Sequence, residues 1–164
     1  MIRNILFCLM LAVSVAIPTT TSALSLPGAV ETLVSTAFDG RYSGKMDVSM
    51  SKGKTFNGRQ ATFEIKDNHL SCDFPKMGKM PGKISINLFV KIDQQGRITA
   101  QPESVAGVMK MPMGFKFKLK LEALDGAKID DGKISFTLKV YGEMLGAKFP
   151  TTICFKGHQA QRVF

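Results

Sequence analysis

Residues Met109 to Leu121 read MKMPMGFKFKLKL. Met109, Met111, Met113, Phe115, Phe117, Leu119 and Leu121 take every second position, and Lys110, Pro112, Gly114, Lys116, Lys118 and Lys120 fill the gaps. Successive side chains of a strand point to opposite faces, so a period of two marks a strand with one buried face and one wet face. As a single strand the stretch spans roughly 40 Å at about 3.3 Å per residue, far longer than usual. Pro112 cannot donate a ladder hydrogen bond, so it marks a bend between a Met-rich half and a Phe/Leu-rich half.

The same alternation recurs on both sides. Upstream, Tyr42, Gly44, Met46, Val48 and Met50 alternate with polar neighbours, and Ser51-Lys52-Gly53-Lys54 forms a turn. A second strand carries Phe56, Ala61, Phe63 and Ile65, with Gly58 marking a bulge. The turn Lys66-Asp67-Asn68 leads to a short strand with Leu70, Cys72 and Phe74, and after a loop a fourth strand runs from Ile84 to Ile92. Asp93-Gln94-Gln95-Gly96 turns the chain into a short fifth strand, Arg97 to Gln101, and the Met109 stretch is the sixth. Downstream, two Asp-Gly steps between Ala123 and Gly132 read as turns. Ile134 to Val140 make the seventh strand, Phe149 to Phe155 the eighth, and His158 to Phe164 shows no pattern. About eight such segments with no long helix between them predict an all-β fold with antiparallel neighbours. Long, bent strands in meander order favour a closed up-and-down barrel over a sandwich. Lysines at the off-phase positions argue against a lipid-facing barrel exterior.

The N-terminus has a different character. Arg3, the apolar run Ile5 to Ile17 and the small residues before Ala23 read as a signal peptide, residues 1–23, cleaved after Ala23. The run is too short for a comfortable membrane span, and no other stretch is long enough, so the mature chain is expected to carry no integral span. Residues 24–38 form a lead-in, either a short helix with Val30, Leu33, Val34 and Phe38 on one side or an irregular segment, and residues 39–164 form the barrel domain. Loss of Arg3 lowers the formal charge from +9 to +8, which favours anionic surroundings. No nucleic-acid motif or basic helix accompanies that charge, so nucleic acid is not the expected partner. Cys72 and Cys154 form a candidate disulfide in an exported chain. Alternation places Cys72 with inward Leu70 and Phe74 but Cys154 with Thr152 and Lys156, so two free thiols on opposite faces are the competing expectation.

Asp39-Gly40-Arg41-Tyr42-Ser43-Gly44-Lys45-Met46, soon after the signal peptide, resembles the D-G-x-Y-x-G opening of the calycin-like β-barrel domains of exported Bacteroidetes proteins. The resemblance covers roughly Phe38 to Gly157 and implies a lipocalin-like eight-stranded barrel in the periplasm or at the cell surface of a Gram-negative bacterium. It brings no catalytic residues and no defined ligand. The Gly40-Arg41-Tyr42 step is similar to the Gly-x-Trp entry of true lipocalins, with Tyr in place of Trp in a chain that has no tryptophan.

Catalytic signatures are absent from the sequence: there is no nucleophile elbow, phosphate-binding glycine loop or Ser, His and Asp set. His69 and His158 lack metal-ligand neighbours at the required spacing, so neither a metal nor a cofactor is expected, and the chain reads as a non-enzyme. Met46, Met50, Met109, Met111 and Met113 share the apolar phase with Tyr42, Phe63, Phe115 and Phe117. Together they form either a soft lumen for a small hydrophobic ligand or a self-filled core, since eight strands enclose barely enough room for either. Lys116, Lys118 and Lys120 are candidates for contact with an anionic glycan or an acidic protein, and equally serve to keep an outer face soluble.

Overall fold

The computed structural model describes residues 37–74, 82–144 and 146–161. The expected signal peptide and most of the 24–38 lead-in, with its expected helix, lie outside the described residues. Eight antiparallel strands close into an up-and-down barrel in the order β1 (Gly40–Met50), β2 (Lys54–Lys66), β3 (His69–Phe74), β4 (Lys83–Phe89), β7 (Val105–Lys110), β8 (Lys116–Asp130), β9 (Lys133–Met144) and β10 (Ala147–Gln161), with β10 returning to pair with β1. A two-residue hairpin, β5 (Lys91–Ile92) and β6 (Ile98–Thr99), stands apart as its own small sheet.

The Met109 stretch is not one strand. Its Met half ends β7, Pro112–Gly114 form a 3₁₀ turn, and its Phe/Leu half starts β8, with Met109 facing Phe117 and Lys110 facing Lys116 across the hairpin. Proline with its fixed φ suits the first position of such a turn, and folding back removes the need for a 40 Å strand. The expected fourth and fifth strands are likewise corrected: β4 ends at Phe89, and the expected continuation to Ile92 is β5, which pairs with Ile98–Thr99 outside the barrel. Of the two Asp-Gly steps, only Asp131-Gly132 turns the chain, with both residues at positive φ. Asp125-Gly126 is a bulge inside β8, where the register to β9 shifts. Gly58 sits at the expected irregularity, opposite the register shift between Met46 and Val48, and its N–H donates to Asp47 Oδ1 at 2.6 Å.

The patternless tail is also structural. β10 continues to Gln161, and its last residues pair with Arg41 through Gly44, closing the cylinder. At this seam Gly44 faces Gly157, and a Cβ on Gly44 would lie 2.1 Å from the Lys156 carbonyl oxygen. The second glycine of the Asp-Gly-Arg-Tyr-Ser-Gly segment is thus needed for close approach of the first and last strands.

The barrel interior is filled through most of its length. Phe63 packs edge-on to Phe136, with centroids 4.9 Å apart, and its centroid lies 4.7 and 5.6 Å from those of Phe155 and Phe74. Each such ring pair adds about 1 kcal/mol beyond its area burial. Leu70, Ile86, Leu88, Leu121, Leu138 and Ile153 complete this core.

Candidate functional site

The two ends of the barrel differ. At one end the β2–β3 turn, with Asp67 and Asn68 at positive φ, and the β8–β9 turn flank the β5–β6 hairpin. That hairpin is tied down by backbone bonds from Val90 to Asn68 and from Ile129 to Gly96, and it buries Ile92 and Ile98 in the core. Tyr42 is buried at the same end, and its hydroxyl donates to the Phe38 carbonyl oxygen at 2.8 Å. This end is plugged.

Along β1 the inward side chains run from Tyr42 through Met46 and Val48, all fully buried, to the partly exposed Met50. Met50 reaches the opposite end, where the β1–β2, β7–β8 and β9–β10 hairpins turn. Between these hairpins lies an apolar cavity of about 190 Å³. Met50, Met109, Met111 and Phe117, four residues that alternation singled out, line it. Leu119, Phe149, Thr151 and Gly142 complete the wall, with Ser51 and Glu143 at its edge. Phe149 and Thr151 share the inward phase of β10, a signal present in the sequence. What alternation lacks is depth along the barrel, which separates lumen lining from core.

The remaining candidates divide accordingly. Tyr42, Met46 and Phe63 belong to the filled core and line no part of the cavity. Phe115 keeps the inward phase but lies beyond the edge of the sheet, 63% exposed at the lip. The side chain of Met113, in the same turn, is outside the described part of the structure. Lys116, Lys118 and Lys120 are all exposed on the outer face of β8. Register places Lys83, Lys110 and Lys116 side by side across β4, β7 and β8.

Cys72 is a buried free thiol and Cys154 an exposed one, so the candidate disulfide is not formed. The cause is the alternation itself, which turns the two sulfurs to opposite faces of the sheet. Burial, reinforced by the neighbouring Asp73 charge, pushes the Cys72 thiol up to about 12. On the outer wall the Tyr141 hydroxyl donates to the Glu103 carboxylate, which together with desolvation raises the phenol to about 12. Lys148 Nζ lies 4.3 Å from the centroid of the same ring. Burial also raises the Asp39 carboxyl above its usual range, and its Oδ1 has no hydrogen-bond partner. Among the described residues no three His, Cys, Asp or Glu side chains converge as a metal site, and no helix is long and apolar enough to cross a membrane. His69 stacks edge-on with Phe89 on the outside, facing away from Cys72.

Comparison of the chain with models of known protein families, with curated proteins and with solved structures gives no match.

Proposed function

We propose that this protein is an exported, non-catalytic binding module that holds a small apolar ligand, or the apolar end of a larger one, at the open mouth of its barrel. The observation that carries the reading is the one-ended cavity lined by Met50, Met109, Met111 and Phe117 above a filled core. An apolar cavity of about 150 Å³ is enough to hold benzene, and whole drug-sized ligands occupy about 300 Å³ or more. A space of about 190 Å³ therefore matches one ring or a short length of alkyl chain. The three methionines give a wall that adapts to the shape of the guest. Membership of the calycin-like barrel proteins of the bacterial envelope is part of this reading, supported by the Asp39-to-Met46 opening and by the eight-stranded meander.

An environment-sensitive hydrophobic dye is expected to bind the folded protein saturably and to be displaced by fatty acids. Met109→Trp, which fills the cavity with a larger ring, should weaken dye binding at least about tenfold with the unfolding transition retained. Undiminished dye binding to that variant places the dye elsewhere and removes the proposal.

A further inference from the structure

The charges of the barrel are segregated by end. Among the described side chains around the mouth, Lys54, Lys83, Lys110, Lys116, Lys118 and Lys148 are exposed, against the carboxylates of Asp73 and Glu143. Around the plugged end the signs balance: Arg41, Lys66, Lys91, Arg97, Lys128 and Lys133 stand among Asp39, Glu64, Asp67, Asp93, Asp130 and Asp131. The ion pairs between described residues follow the same division. Arg41–Glu64, Arg97–Asp93 and Lys128–Asp130 lie towards the plugged end, Lys139–Asp125 lies on the outer wall, and none engages a mouth lysine.

Of the exposed large apolar side chains among the described residues, Phe89 and Val105 stand on the outer wall away from the mouth, and the other two stand at it. Phe115 is 63% exposed and Phe149 39% exposed, and both stand on hairpins of the mouth, Phe149 in the cavity wall. A large exposed aromatic side chain beside a turn, with lysines immediately behind it, matches the two layers of a bilayer surface: the apolar group enters the acyl boundary while ammonium groups meet anionic headgroups. A polysaccharide or an acidic protein would account for the lysines but gives no role to an exposed Phe115 beside the hairpin turn.

From this juxtaposition we infer that the mouth end docks onto an anionic lipid surface, with Phe115 as the inserted tip, Phe149 at the boundary, and Lys110, Lys116 and Lys118 on the headgroups. Docking would turn the cavity towards the acyl chains, but it does not require the cavity to be occupied.

The absence of native tryptophan provides a direct test on the full chain. Phe115→Trp places a lone tryptophan, excited selectively over the two tyrosines, at the inferred tip, and Phe89→Trp places one at an exposed position on the outer wall of β4, 51% exposed in the native residue. With vesicles containing phosphatidylglycerol, the emission of the Phe115→Trp protein is expected to shift to the blue and to be quenched by brominated acyl chains, while that of the Phe89→Trp protein does neither. Vesicles of phosphatidylcholine alone should give a much smaller response. In the Phe115→Trp background, Lys110→Gln, Lys116→Gln and Lys118→Gln together should weaken the response at least about tenfold, whereas Lys128→Gln with Lys133→Gln should not. Equal shifts in the two single-tryptophan proteins indicate tethering through another part of the chain and overturn the inference, as does the absence of any shift. Lysine-dependent binding of an anionic polysaccharide, with the Phe115→Trp emission unchanged on vesicles, overturns it in favour of a soluble anionic partner. Dye binding in solution tests the cavity separately, so failure of one reading is distinguishable from failure of the other.

Discussion

A methyl group on Gly44 has nowhere to go. Its nearest neighbours are backbone atoms of Lys156 and Gly157, 2.1 and 2.4 Å away, and they belong to a strand held by its own ladder on both sides. Gly44→Ala is therefore expected to destabilise the barrel by about 1–3 kcal/mol through a forced shift of β1 against β10, read as a lower midpoint in urea unfolding. An unchanged midpoint would show that the seam has slack. The opposing Gly157 is covered by the ring of Phe155, whose Cζ lies 2.6 Å from where a Cβ would stand. Both seam glycines are visible in the sequence, but their pairing is not, because nothing local relates position 44 to position 157.

At the scale of elements, the C-terminal segment is where structure and sequence pattern differ most. Gly157, His158 and Gln159 lack hydrophobic alternation, yet they pair with Gly44, Ser43 and Tyr42. A chain truncated after Phe155 is expected to lose its cooperative unfolding transition and to bind hydrophobic dye non-saturably, as the interior opens between β1 and β10. A truncated chain that unfolds as sharply as the parent would show these pairs to be dispensable. Alternation is enough to place β1 to β3, β9 and most of β10, since each has one buried and one wet face, but it carries the fourth strand on through Ile92, which belongs to β5. It misplaces the centre of the chain because a hairpin whose two arms share the same inward phase looks like one long strand. Met109 and Phe117 face each other with no break in the alternation, and only Pro112 and Gly114 mark the turn. The strand total nevertheless stays at eight, because the gain from splitting that stretch offsets the loss of Arg97–Gln101 from the barrel. The candidate site is legible to the same degree: inward phase identifies Met50, Met109, Met111 and Phe117, but also Met46 and Phe63, which burial at mid-barrel commits to the core.

For the molecule as a whole, the mouth lysines work against the fold. Lys110 stands directly between Lys83 and Lys116 in register, and like charges facing each other across strands are destabilising. Lys110→Glu is expected to raise stability by about 0.5–1 kcal/mol at low ionic strength, a gain that shrinks as salt screens the pairs, while weakening attachment to anionic vesicles. Thermal unfolding at two salt concentrations reads the first effect. A destabilised variant would mean that the three ammonium groups are held apart and already solvated independently.

The seam between β1 and β10 also has a consequence in time. These strands begin at Gly40 and end at Gln161, so the contact that completes the cylinder joins nearly opposite ends of the described chain and forms only when the last residues are free to pair. Contacts of such long sequence separation form slowly, since the entropy of closing the intervening chain must be met first. Until synthesis has released those residues, the nascent polypeptide has a first strand paired along one edge only and no finished barrel to jam a translocation channel. For a chain exported as proposed, threaded through a membrane in extended form, a fold that cannot finish early keeps the polypeptide competent for passage until it arrives.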